Sequence, residues 1–465
     1  MLGLIATPAF RYAAGVVGLV LALGLRPAVA QAPLSPGEPR AAARSEMQAG
    51  VHIGVATCSG GNCHGATERP HGSAVTGNEY IIWSTRDKHR NAYRVLLEER
   101  SIRMARALGL PDAANAKLCL DCHADNAPPD RRGRQFQLSD GVGCEACHGG
   151  ASGWLGTHIS GATHQQNINA GLYPTENPRM RAEKCLSCHF GDATKFVDHR
   201  LMGAGHPRLG FELDTFTAIQ PAHFAVDQSY VQRKGRITDM QVWAAGQAIA
   251  LIKRMDALLD PKHSRRGPFP EFVLFDCQSC HHAYDPLHAP HPTATGLGPG
   301  TVKLNDANAV MLRVIAARVA PAAAKALNMH MLALHRATTE DWAAIQREAA
   351  AVRQAAEALE PALSRHNFTR EDMLAMAEAV ISIGSPSADS QFSHAEQVTM
   401  SLQAIAAAMK SAGYLSEAQA QAATTALNSL NASFANEGTL RPDAFVKGLR
   451  EMQLALGVQA GRVGQ

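Results

Sequence analysis

Ten cysteines stand in five close pairs: Cys58/Cys63, Cys119/Cys122, Cys144/Cys147, Cys185/Cys188 and Cys277/Cys280. In every pair a histidine directly follows the second cysteine: His64, His123, His148, His189 and His281. Four pairs read Cys-x-x-Cys-His, and the first spaces its thiols by four residues, Cys58-Ser-Gly-Gly-Asn-Cys63-His64. Cys-x-x-Cys-His is the attachment pattern of c-type haem. Two thiols add to the two vinyl groups of one haem, and the adjacent histidine supplies the imidazole beneath the iron. Four intervening residues still bridge the same vinyls if the segment loops out. Structural disulfides and zinc sites also use paired cysteines. Neither demands a histidine after the second cysteine of every pair. The reading is five covalently attached haems c.

A low-spin haem takes a second axial ligand. Five histidines near the motifs are candidates: His52, six residues before Cys58; His89, after Trp83; His158, after Trp154; His206, in Met202-Gly-Ala-Gly-His206-Pro207; and His223, in Pro221-Ala-His223. His71, His164, His199, His282 and His288 stand in reserve, with Met202 as a thioether alternative. Bis-histidine ligation gives lower potentials than His/Met, so low-potential chemistry is expected. Histidines 330, 335, 366 and 394 are read as ordinary helix residues.

The elements that position these groups divide by composition. The chain has 465 residues, room for two to four domains. Residues 1–30 carry one early charge, Arg11, an apolar run and Ala28-Val29-Ala30, and read as a cleaved secretory signal peptide. Residues 31–50 read as a flexible leader. Residues 51–285 hold every cysteine and read as a pentahaem cytochrome c domain with little regular secondary structure around stacked haems. Within it, only 94–108 and 239–259 have long helical periodicity. Residues 286–300 are Pro- and Gly-rich linker chemistry. Residues 301–465 read as a C-terminal α-helical bundle of five or six helices, making the chain mainly α. One helix covers about 338–366, with Trp342, Ile345, Ala349, Val352, Ala356, Leu359 and Leu363 on one apolar stripe. Others cover about 393–410 and 416–431, and the last follows Pro442 to near Gly457. No later run reaches the roughly 18 apolar residues of a membrane span, so the mature chain is expected in the periplasm.

Composition narrows the partners. Forty-six per cent hydrophobic and 18% charged residues suit a globular core, and aromatics at 5% leave part of the interior to a large cofactor. Lys and Arg number 44 against 41 Asp and Glu, a net charge of +3 without a basic tail, which argues against nucleic acid. Each ferric haem with two ionised propionates adds about −1, so the loaded protein is acidic. Arg131, Arg132, Arg134, Arg200 and Arg208 are candidate propionate partners.

The motifs are similar to those of a known family. Asn78-Glu79-Tyr80-x-x-Trp83 with His89 and Ala92, Asp140-Gly-Val-Gly-Cys144-Glu-Ala-Cys147-His148-Gly149, Gly205-His206-Pro207-Arg208-Leu209 and His52-x-Gly-Val55-x-x-Cys58 resemble the cytochrome c-554 family of multihaem cytochromes. The resemblance covers about residues 50–285. It implies closely stacked, mostly bis-histidine haems that pass electrons singly, with one haem able to stay open. Two departures stand out: the family's name-giving member has four haems, and the region beyond 300 has no counterpart. The first expectation is an electron carrier between redox partners, such as quinol-linked membrane proteins or periplasmic cytochromes. The alternative is a reductase or oxidase of a small nitrogen or sulfur compound at one open iron, with Tyr80, Tyr230 and Arg233 as pocket candidates. The lysine that replaces the motif histidine in pentahaem nitrite reductases is absent here. A third reading is a haem-based ligand sensor, or a scaffold in which the helical region docks a larger complex.

Overall fold

The structure is a computed structural model describing residues 50–69, 75–265, 270–281, 295–298, 301–384, 392–434 and 440–458. The signal peptide, the leader, His71, His282, His288 and most of the 286–300 linker lie outside them. The chain is mainly α, and no strand occurs among the described residues. It divides into two units. One takes residues up to Leu209 and Thr217–Ile237; the other takes Gly210–Phe216 and the chain from Thr238 onward. The division after 237 differs from the boundary read at 285. It places the fifth motif, Cys277 to His281, in the helical unit.

The first unit is built from short helices, more of them than the sequence periodicity suggests. Three carry attachment motifs: α1 (Lys117–His123), α2 (Cys144–His148) and α3 (Pro178–His189). Helices of five to twelve residues span too few turns to show a period. Asn177 caps α3 through the Met180 amide, and Pro178 fits its first turn. The apolar clusters are small. One gathers Leu96, Ala105, Ala113, Ala114, Leu120 and Ala124; another has Leu108, Val197 and Leu201; a third has Tyr173 and Met180. Gly54 sits at φ 97° with the Gln135 carbonyl oxygen 2.3 Å from where a Cβ would lie, so only glycine fits there.

The second unit is a helical bundle. Its helices are α4 (Asp239–Leu259), α5 (Ala307–Val319), α6 (Pro321–Ala337), α7 (Trp342–Arg365), α8 (Arg370–Gly384), α9 (Phe392–Ser411), α10 (Glu417–Ser433) and α11 (Pro442–Leu456). Seven of these lie beyond 301, where the sequence reading expects five or six. Helices α5 and α6 are separated only by Ala320 before Pro321, so periodicity alone runs them together. On α7, Ile345, Ala349, Val352, Ala356, Leu359 and Leu363 are buried as expected, while Trp342 stays at the edge under the Arg265 guanidinium. Helix α4 is the hub: it packs on α7, α5 and α9 and is buried on nearly every side. A Thr238/Gln241 capping box starts it. Within the core, Asn308 Nδ2 donates to Gln247 Oε1, Gln247 Nε2 to Gln397 Oε1, and Gln397 Nε2 to the Phe211 carbonyl, at 2.9, 2.9 and 3.0 Å. Buried amides chained in this way fix the register of three helices.

Gly246 lies where α4 meets Leu213, and an added Cβ would fall 2.6 Å from the Leu213 Cβ. In an open helix, Gly→Ala stabilises by up to about 1 kcal/mol. Here the expected sign reverses. Gly246→Ala should destabilise by ~1–3 kcal/mol, read as a lower midpoint in urea; an unchanged or higher midpoint would show that the contact yields.

Candidate haem-binding site

Helical spacing assembles each ordinary motif. In Cys-x-x-Cys-His the three reactive residues are i, i+3 and i+4, which share one face of a helix. Helix α1 carries Cys119 and Cys122, α2 carries Cys144 and Cys147, and α3 carries Cys185 and Cys188; each ends on its motif histidine. The first motif reaches the same result by a turn. After the helix Val55–Cys58, the Cys63 amide bonds the Gly60 carbonyl and the His64 amide returns to the Cys58 carbonyl, at 2.9 and 3.1 Å. The two extra residues are thus looped out.

The fifth motif departs from the helical pattern. It is a 3-10 turn, Cys277–Ser279, with the Cys280 and His281 amides 3.2 and 2.8 Å from the Cys277 carbonyl. Cys280 is exposed, as is His281 beside it, whereas the thiols on α1, α2 and α3 are all half-buried. The reason is local. The turn stops at Ser279, and Cys280, at φ −121° and ψ −37°, falls beyond it rather than on a helix packed against neighbouring motifs. Cys63 is exposed too, because it ends the looped-out segment. The start of the fifth motif is nevertheless laced into the helical unit: Asp276 N bonds Lys303 O, Asn305 N bonds Leu274 O, and Gln278 Oε1 accepts from Phe392 N at the start of α9.

Four motif histidines face a second histidine. The ring centres are 6.0 Å apart for His64 and His158, 6.2 Å for His189 and His89, 6.3 Å for His123 and His206, and 6.4 Å for His148 and His223. A metal–imidazole bond is about 2 Å, and the coordinating nitrogen lies about 1 Å from its ring centre, so imidazoles on opposite sides of one metal have centres about 6 Å apart. The donor set fits an iron between each pair. Four of the five distal candidates are thereby brought to a motif histidine. His52 is the exception: its Nδ1 lies 2.7 Å from Asp125 Oδ2 and its ring meets Phe136 edge-on. Among the reserves, His164 is held 2.6 Å from Glu176.

Hydrogen bonds on the far nitrogen orient these rings. His64 Nδ1 lies 3.0 Å from Glu79 Oε2, and His89 Nδ1 lies 2.9 Å from Asp87 Oδ1. His123 and His206 instead bond the carbonyls of Ala92 and Pro207, at 3.0 and 2.8 Å. Holding Nδ1 leaves Nε2 to face the metal. Burial keeps His148 and His189 neutral, pushing them down to about 3 and about 4; a metal ligand must be neutral. Burial also pushes the Asp87 carboxyl up, but hydrogen bonds from His89 and Gln220 outweigh it and hold it down at about 2.

The motifs touch through sulfur. Cys58 lies beside Cys144, and Cys122 beside Cys188, close enough for each thiol to shift its neighbour's ionisation. Cys122, joined by Lys195 Nζ at 3.0 Å, lowers the Cys188 thiol. Burial pushes Cys147 up to about 11 and Cys185 up to about 12.

Glu145, Glu79 and Asp87 escape a reading by motif. Glu145, inside Cys-Glu-Ala-Cys, is buried and accepts from the amides of Ile53, Gly54 and Ala151 at 2.7–2.8 Å. It staples the segment before the first motif to the loop after the third. His52, Asp125 and Glu145 bring ligand atoms within 4.8 Å of one another, but the three amides already occupy the Glu145 carboxylate. Asp87 stands two residues before His89, the one sequence signal that could have found it. Of the propionate candidates, Arg132 and Arg200 donate to the carbonyls of Ala127 and Leu108. In the helical unit, His335 and His394 are more than spacers: both bond the buried Asp306, at 3.2 and 2.8 Å.

Helices that gather two thiols and an imidazole, each imidazole faced by another, define a multihaem c-type cytochrome. Residues 57–149, which include the first three motifs, match the family model described as cytochrome c554 and c-prime. The chain is similar to that family over this span, which supports a haem c protein that transfers electrons. Neither a curated protein nor a solved structure matches the chain. Among the described residues, no helix is long and apolar enough to cross a membrane.

Proposed function

We propose that this is an exported pentahaem c-type cytochrome, which passes single electrons along closely packed, mostly bis-histidine haems between redox partner proteins in the periplasm. The observation that carries the reading is the four histidine pairs at 6.0–6.4 Å, each built on an attachment motif. Haem c supplies the one-electron chemistry. The chain holds each group by two thioethers and orients imidazoles through Nδ1. Sulfur contacts between motifs bring the attachment points of different haems together, which suits transfer without a substrate pocket. The haems on Cys58/Cys63 and on Cys277/Cys280 each have one attachment thiol open at the surface.

Protein made with haem c maturation tests this by haem count and by visible and EPR spectra. Five haems per chain, with low-spin signals that ignore nitrite, hydroxylamine and carbon monoxide, are expected. A high-spin signal near one haem per chain that shifts with those ligands would replace the carrier by the open-iron reductase. Cys280→Ser with Cys277→Ser should lower the count from five to four by mass; an unchanged mass of attached haem would remove the fifth site.

A further inference from the structure

Resting on the ligand reading above, we propose that the haems held by His64/His158 and His89/His189 are the low-potential members of their unit, because Glu79 and Asp87 back their imidazoles with carboxylates. The other haems of this unit have no carboxylate bonded to a ring nitrogen: His123 and His206 bond main-chain carbonyls, and His223 feels the Asp87 and Glu79 charges only through space. A carboxylate accepting the Nδ1 proton makes the ring a stronger donor to the metal than a carbonyl does. A stronger donor favours the ferric state and lowers the potential.

The two carboxylates are built in. Asp87 is 5% exposed; one oxygen takes both the His89 ring and the His89 amide, the other takes Gln220 Nε2 at 3.0 Å. Glu79 splits its oxygens between His64 and the Thr76 hydroxyl, at 3.0 and 3.1 Å. Their placement follows the sulfur contacts. Cys58, of the Glu79-backed haem, meets Cys144 of one without a bonded carboxylate; Cys188, of the Asp87-backed haem, meets Cys122 of the other. Each contact therefore joins one low and one high member, so electrons entering either low member have a downhill step beside them.

The test is a spectropotentiometric titration of the holoprotein carrying Asp87→Asn or Glu79→Gln, with His89→Ala alongside. Both conservative changes keep an acceptor oxygen but remove the charge. Each should shift one wave in the low half of the titration upward by roughly tenfold in equilibrium, about 59 mV for one electron, with haem count and low-spin spectrum unchanged. Waves that stay put in both variants, or a moving wave in the high half, overturn the assignment. If Asp87→Asn does not accumulate, Glu79→Gln, eight residues away and far less buried, decides. His89→Ala separates the two readings. If it leaves every haem low-spin, the ligand reading has failed. If it creates a high-spin haem while the conservative variants move nothing, ligation stands and the tuning is wrong.

Discussion

Made without haem attachment, the protein should lose the structure of residues 51–209 and 217–237 and keep that of residues 210–216 and 238–458. The first unit's apolar clusters hold two to six buried residues each. At roughly 1.5–3 kcal/mol per buried large side chain, and with several of those residues alanines, such clusters cannot offset about 1–2 kcal/mol of backbone entropy per residue. The haems must fill the space between them. The helical unit differs: Trp243, Met240, Leu251, Leu312, Leu327, Val352, Leu402 and Met452 are all completely buried. Limited proteolysis read by mass spectrometry, with far-UV circular dichroism, checks the difference. A haem-free chain that resists cleavage between 51 and 209 would mean the short helices support themselves.

The second large effect concerns ligation. His206→Ala or His223→Ala should convert one haem wholly from low to high spin and add carbon monoxide binding of about one per chain to whatever the parent binds. Each histidine lies opposite a motif histidine; Met202, four residues before His206, is the neighbouring alternative ligand there, so His223→Ala, with no histidine or methionine from Pro221 to Phe224 besides His223, is the cleaner of the two. His52→Ala is the informative comparison. Its imidazole serves Asp125, so it should leave the spin states alone. A high-spin haem in His52→Ala with none in His223→Ala would invert the assignment of distal residues.

What the sequence discloses here depends on the range of the interaction. The attachment motifs are local, three residues within one helical turn, and they are legible outright. Their surroundings are not: Cys188 and Cys280 occupy the same place in the same pattern, yet one meets a neighbouring motif and the other lies exposed past the end of a turn. The distal histidines pair across 75 to 100 positions; only their number and proximity to the motifs mark them, and His52 satisfies both criteria without facing a motif histidine. Long amphipathic helices such as α7 announce themselves through a stripe. Helix α2, five residues long, has no stripe to announce. Glu79, Asp87 and Glu145 act through single contacts that leave no periodic trace. The division after 237 is hidden for another reason: residues 51–285 share one composition, and what separates them is the lacing of Leu274–Ser279 to Lys303–Asn305 and Phe392.

That lacing makes the chain modular in an unexpected place. A protein ending at residue 237 would retain four attachment motifs and all four facing histidine pairs. The fifth motif travels with the bundle, stitched to the start of α9 through Gln278. Gain or loss of the helical module would therefore change the number of attachment motifs by one and leave the other four, with their facing histidines, entire.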